Sequence, residues 1–318
     1  MRGLIHTIVK YTLGAVAVFA VGPVAGRLMG LVQGPGGNGP GAMSLGSGGG
    51  GGGGGGISNA LGHTGLLSVN PAMGLAVGIG CVVLAGLMGV LAARVIHLRW
   101  AMLCGGAVLA WAAAQSGTLD SVLRANGPGG AMMKLAIETG VLALATAGAV
   151  VAMSLVARPS ASARPGDVGT EPHNRGRAIS AADGLGVGLG LLCGALGVYL
   201  VSQNMLKGQA IAGVAVGAAA AGLAARIMGI RCQPASMVLG VCLTGVVAPI
   251  VLGFNSTGVK LLLEANGGTI SPLLRPMPLD WAAGALLGLP LGLSYGLPQA
   301  PVPDAPRPGD QPMAVAVS

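Results

Sequence analysis

A chain of 318 residues that is 53% apolar and only 8% charged, with a mean hydropathy of +0.76, lies far from the composition of a soluble domain, about a quarter of which is charged. Composition therefore excludes an ordinary globular protein and points to an all-helical integral membrane protein with several transmembrane helices. The net charge of +8 would suggest nucleic acid in a soluble protein, but the basic residues flank apolar runs, where they act as topology signals.

A helix crossing ~30 Å of hydrocarbon needs ~20 residues. In chain order the apolar runs predict eight spans, at 4–26, 72–93, 100–117, 133–156, 184–203, 208–229, 236–254 and 280–297. The first has the basic start and apolar core of a signal peptide. Its apolar run continues past the cleavage-like Val18, Phe19 and Ala20 through "PVAGRLMGLV", so it reads as a retained helix. Residues 31–69 include "GSGGGGGGGGGIS", and a glycine tract carries too much backbone entropy to hold one shape; a mobile external loop is expected. Asn70 and Pro71 read as the cap and first turn of the second span.

The second span ends in "LAARVIHLR" (91–99) and the sixth in "LAARIMGIR" (223–231). With a cytoplasmic amino terminus, eleven basic residues face the cytoplasm, Arg94, Arg99, Arg226 and Arg231 among them, against six outside. The repetition continues in "LRANG" (123–127) and "LEANG" (263–267), each followed by a further span. This predicts two parallel four-helix repeats, 1–157 and 181–297, related by an axis along the membrane normal. Residues 158–180 read as a cytoplasmic linker and 298–318 as a disordered Pro-rich tail.

Small residues four apart let apolar helices approach closely, which matters when lipid already satisfies hydrophobicity. Three ladders fit: Gly22, Gly26 and Gly30; Gly186, Gly190 and Gly194; Gly284, Gly288, Gly292 and Gly296. Packing within the chain is expected ahead of a dimer interface. Pro249 and Pro290 fall inside spans, where each removes a backbone donor.

On the outer side Asp120 and Arg124, Lys134 and Glu138, and Lys260 and Glu264 are each four apart, with Arg275 and Asp280 completing the set. As solvated helical pairs they contribute only ~0.2–0.5 kcal/mol each. Aligning the two "ANG" segments sets Asp120 opposite Lys260 and Arg124 opposite Glu264 with signs exchanged, which predicts a charged ring at the outer mouth. Glu138 is the leading functional acid, because its span has begun by Met133. Asn255 joins these five as a binding candidate, and Gln115, Ser116, Thr244 and Ser256 are further positions for a polar lining between the halves.

The five cysteines lie in or beside apolar segments without a CxxC pair, and no two of the four histidines share a helix face. No metal, no cofactor and no catalytic set is therefore expected, and an enzyme is disfavoured. The expected setting is the cytoplasmic (inner) membrane, with both termini in the cytoplasm, lipid as surroundings and no nucleic-acid partner. The leading function is transport of a small solute between the repeats. The alternative is a non-transporting assembly subunit that packs with a membrane-protein partner, or with a second copy, through its glycine ladders.

Overall fold

The computed structural model describes residues 2–31, 66–68, 71–119, 122–123, 128–157, 180–204, 206–255, 260–261, 263–264, 267 and 269–295. Most of the glycine-rich loop, nearly all of the linker and the whole Pro-rich tail lie outside them. Among the described residues the chain is all-helical with no strand, and six helices are long and apolar enough to cross a membrane. That places it in a lipid bilayer as a multi-pass protein.

The first helix comes in three pieces: α1 (Arg2–Val16), a π-helical turn (Ala17–Val21) and α2 (Gly22–Leu31). Pro23 explains the turn. It has no N–H for the preceding turn and its ring crowds the Phe19 carbonyl, so the ladder widens and Gly22 N–H donates to the Ala17 carbonyl, five residues back. There follow α3 (Pro71–Val95), α4 (Leu98–Gln115), α5 (Pro128–Val156), α6 (Ala181–Val201), α7 (Lys207–Ile227), α8 (Pro234–Asn255) and α9 (Pro278–Ser294). Four of these open on proline, whose missing N–H costs nothing in a first turn. The α6 helix opens on a capping box instead, Ser180 Oγ accepting from Asp183 N–H (3.3 Å) and Asp183 Oδ2 from Ser180 N–H (3.0 Å).

Because these helices are apolar on nearly every face, small residues decide which faces meet. Gly22 and Gly26 of α2 seat on Trp111 and Gln115 of α4, so the two helices run parallel. Gly186, Gly190 and Gly194 of α6 seat in the same order on Ser236, Val241 and Thr244 of α8. On α3, Gly78, Gly86 and Gly89 meet Leu142, Ala149 and Met153 of the parallel α5. The closest approach joins α7 to α9: Gly284, Gly288 and Gly292 lie against the carbonyls of Ile211, Ala215 and Ala219, one turn per step. The ladders are thus occupied within the chain, Gly30 and Gly296 aside.

The α9 helix sits at the centre. All its residues but Leu287, Leu291 and Ser294 are buried, and it packs against α4, α5, α7 and α8. Its Trp281, 1% exposed, lies over Gly245 of α8, and its Leu287 over Gly106 of α4. A second apolar cluster closes the Lys207 end of the bundle, built from Leu119 and Leu123 after α4 and from Ile270, Leu274 and Met277 before α9.

A methyl group at Gly288 would overlap the Ala215 carbonyl oxygen, whereas one at Gly148 meets nothing within 4 Å. Gly288→Val should therefore lower the unfolding free energy in detergent by about 1–3 kcal/mol, while Gly148→Ala leaves it unchanged or slightly raised. Denaturation midpoints of the two variants measure the difference.

Candidate functional site

At the Lys207 end a buried ion pair joins three elements. Pro278 sets the start of α9, which puts Asp280 in its first turn and 0% exposed. Asp280 Oδ2 accepts from Met277 N–H at 2.7 Å and from Lys207 Nζ at 2.9 Å. Lys207 is the first residue of α7, and its ammonium also donates to the Gly117 carbonyl at 3.1 Å, just beyond α4. One cation thus ties α7 and α9 to the end of α4. Asp280 Oδ1 accepts no hydrogen bond among the described residues.

Beside the pair, Arg275 is 9% exposed and donates to the carbonyls of Ser202 (2.6 Å) and Ile270 (3.0 Å), stapling the end of α6 to the segment before α9. Burial pushes its guanidinium down from the usual value but leaves it cationic. At the other end, Arg226 in the last turn of α7 donates to the Leu293 carbonyl of α9 at 2.6 Å, satisfying an acceptor that the ending helix leaves open. The arrangement is a set of clamps. It holds backbone and helix ends.

Of the residues expected from the sequence, Glu138 is buried on α5 (4% exposed), and its Oε2 accepts from Leu66 N–H at 3.0 Å, fixing the approach to α3. Lys134, one turn away, is exposed. Lys260 and Glu264 form a pair at 3.8 Å with side chains 64% and 32% exposed, a solvated pair of small energetic worth. Asp120 and Arg124 lie outside the described residues, as does the side chain of Asn255, so of the expected ring only Lys260 and Glu264 are described. Among the other lining positions, the hydroxyls of Ser116 and Thr244 donate to the Ala113 and Leu191 carbonyls and serve the helices themselves.

Sequence reasoning gave Asp280 to the nearby Arg275 and left Lys207 among the topology charges. Their pairing spans 73 positions, which no spacing rule reaches. The usable signal was that both residues stand at the starts of expected spans on the same expected side, and in the fold they open α7 and α9 at one end of the bundle. A second feature also escaped: a cleft of about 360 Å³ between α1 and α4, lined by Tyr11, Gly14, Val18, Phe19, Leu103 and Ala107, with Lys10 and Trp100 at one end. Tyr11 stands edge-on to Trp100 (centroids 6.5 Å apart), and Lys10 Nζ lies 5.9 Å from the Trp100 ring centre. Comparison with family models, curated proteins and solved structures returns no match.

Removing one member of a buried pair strands the other charge, at a cost of about 3–5 kcal/mol. Lys207→Met and Asp280→Asn should each destabilise the protein, and the Lys207→Met/Asp280→Asn double variant should lose less than the sum of the two. A double-mutant cycle on thermal unfolding in detergent reads the coupling.

Proposed function

We propose that the protein is a non-transporting subunit of a membrane assembly. Its eight spans form two parallel four-helix units, residues 1–157 and 181–297, with both termini in the cytoplasm of a cell whose inner membrane it occupies. The observation that carries this reading is the filled seam between the units. Val108 and Ala112 of α4 and Leu286 and Leu289 of α9 are at most 1% exposed, and Gly106 of α4 packs on Leu287 of α9. Among the described residues this part of the seam is packed by glycine, alanine, valine and leucine, which argues against a water route through it.

The contact pattern supports the two units. Within the first, α2 runs parallel to α4 and α3 to α5; within the second, α6 runs parallel to α8 and α7 to α9. Between them the principal contacts are α4 with α9 and α5 with α8, which a two-fold exchange of the units would swap, while α5 meets α9 near the axis. The copies differ in one neighbour: α3 packs along α4, whereas α7 packs along α6. The short helices α4 and α9, each about 26 Å long or slightly more, count as spans because their neighbours shield them from lipid. The seat of Gly22 on Trp111 supports a retained first helix.

Since the ladders are occupied internally, a membrane partner would meet exposed apolar stripes such as Leu185, Leu192, Leu196 and Tyr199 on α6. A second reading, permeation of a small solute along the seam, is favoured by one observation: Lys207 joins Gly117 of the first unit to Asp280 of the second, as a gate at the outer mouth would.

Cysteine accessibility separates the two. Cys242 on α8 and a cysteine introduced by Ala285→Cys on α9 both occupy buried positions, 1% and 0% exposed. In a chain whose other cysteines are replaced, a membrane-impermeant cationic thiosulfonate should label neither in sealed vesicles from either side, and both after unfolding. Labelling from water that a solute suppresses would instead establish the permease. Orientation has its own test: reporter fusions after Arg94 and after Arg226 should both report the cytoplasm, and opposite compartments would sink the two-unit topology.

A further inference from the structure

The cleft between α1 and α4 has the build of a lipid site. The two helices run parallel at a constant offset of 89 residues, since Tyr11 meets Trp100, Gly22 meets Trp111 and Gly26 lies against Gln115. From Gly22 onward the glycines let α2 touch α4. On the other side of the π-helical turn the helices part, and the cleft opens there. Its walls are two single helix faces, Tyr11, Gly14, Val18 and Phe19 against Trp100, Leu103 and Ala107, so it runs along the helix axes as an acyl chain lies. Tyr11 and Phe19 are 68% and 77% exposed, so this wall faces outward from the bundle. A Cβ at Gly14 would meet nothing within 4 Å, so there is open space beside this position of the wall.

Charge specifies the occupant. Among the described residues the cleft lining holds one cation, Lys10, and no acid. The first 119 residues of the chain hold five basic residues, Arg2, Lys10, Arg27, Arg94 and Arg99, and no Asp or Glu. Arg94 ends α3 and Arg99 opens α4, at the same end of the bundle as Lys10 and Trp100. An aromatic pair with a lysine beside it, at the mouth of an apolar cleft, matches a headgroup region above acyl chains. A second apolar helix would fill the cleft but would leave the lysine at its mouth without a counterpart.

We propose that this cleft binds an anionic phospholipid, one acyl chain lying along Gly14, Val18 and Phe19 against Leu103 and Ala107, with the phosphate at Lys10 beside Trp100. The orientation put forward above sets this end in the cytoplasmic leaflet, where anionic lipid is attracted to basic groups. The charge preference itself does not depend on that orientation, nor on whether the protein transports.

The test uses the full chain in phosphatidylcholine vesicles doped with chain-brominated phosphatidylglycerol or chain-brominated phosphatidylcholine, read as quenching of the Trp100 contribution by difference from Trp100→Phe. Phosphatidylglycerol should quench at about fivefold lower mole fraction, the preference that one lysine near an anionic group provides. Lys10→Gln should bring the two curves together. Gly14→Leu, which fills the cleft and favours the helix, should weaken quenching by both lipids, with circular dichroism reporting the fold of each variant. Equal curves in the parent chain overturn the proposal. So does a preference that survives both substitutions, or crosslinking of Tyr11 to a second copy in place of quenching.

Discussion

The contact on which the structure turns is the close approach of two backbones, α7 and α9, at Gly288 and Gly292, with the Val214 side chain filling the space beside Gly284. Inside a bilayer burying apolar surface gains little, because lipid chains are as apolar as leucine; helices associate through short-range dispersion and weak Cα–H to carbonyl contacts. Those fall off within an ångström, so they accumulate only where side chains are missing. Gly284, Gly288 and Gly292 supply that condition on one face of α9, opposite the carbonyls of Ile211, Ala215 and Ala219. With that face fixed, Asp280 reaches Lys207 at one end, the Leu293 carbonyl reaches Arg226 at the other, and the remaining faces receive α4 and α8.

The acids obey a common rule. Among the described residues three carboxylates are buried, and each accepts a backbone N–H from a connection: Glu138 from Leu66, Asp183 from Gln233 and Asp280 from Met277. A helix satisfies its own backbone, but the chain just outside it does not, and a buried donor there needs another acceptor. A carboxylate on a neighbouring helix, or for Asp280 in the first turn of the same helix, is a strong acceptor for such a donor. These acids thus stitch loops onto the bundle, which accounts for their burial without a substrate. Arg275 performs the converse task, donating to two loop carbonyls.

How far the sequence could be read depends on the range of the interaction. The helix positions were legible because hydropathy is a property of consecutive residues, and six of the eight expected spans are helices long and apolar enough to cross a membrane; proline stands at the starts of α3, α5, α8 and α9, within about five positions of the expected limits. The glycine ladders were legible as faces, since a four-residue step is local. What each face meets was not: Gly190 seats on Val241 and Gly288 on Ala215, and nothing in an all-round apolar helix says which neighbour it prefers. The same limit hid the Lys207 and Asp280 pair and the Lys10 and Trp100 cleft, whose members are 73 and 90 positions apart. Similar strings also diverge in setting. Leu123 of "LRANG" is fully buried, while Leu263 of "LEANG" is 67% exposed.

The central helix is also the last of the described helices in chain order, and this bears on how the protein is made. Synthesis delivers helices one at a time, and early ones ordinarily pack as they emerge. Here α4, α7 and α8 are released into the membrane before the element they surround has left the ribosome. Until residue 278 is reached their inner faces can hold only lipid or each other, so the first associations are provisional and must be undone. A chain cut short before that point would carry α1 to α8 and yet lack the helix they pack around, a natural target for membrane quality control.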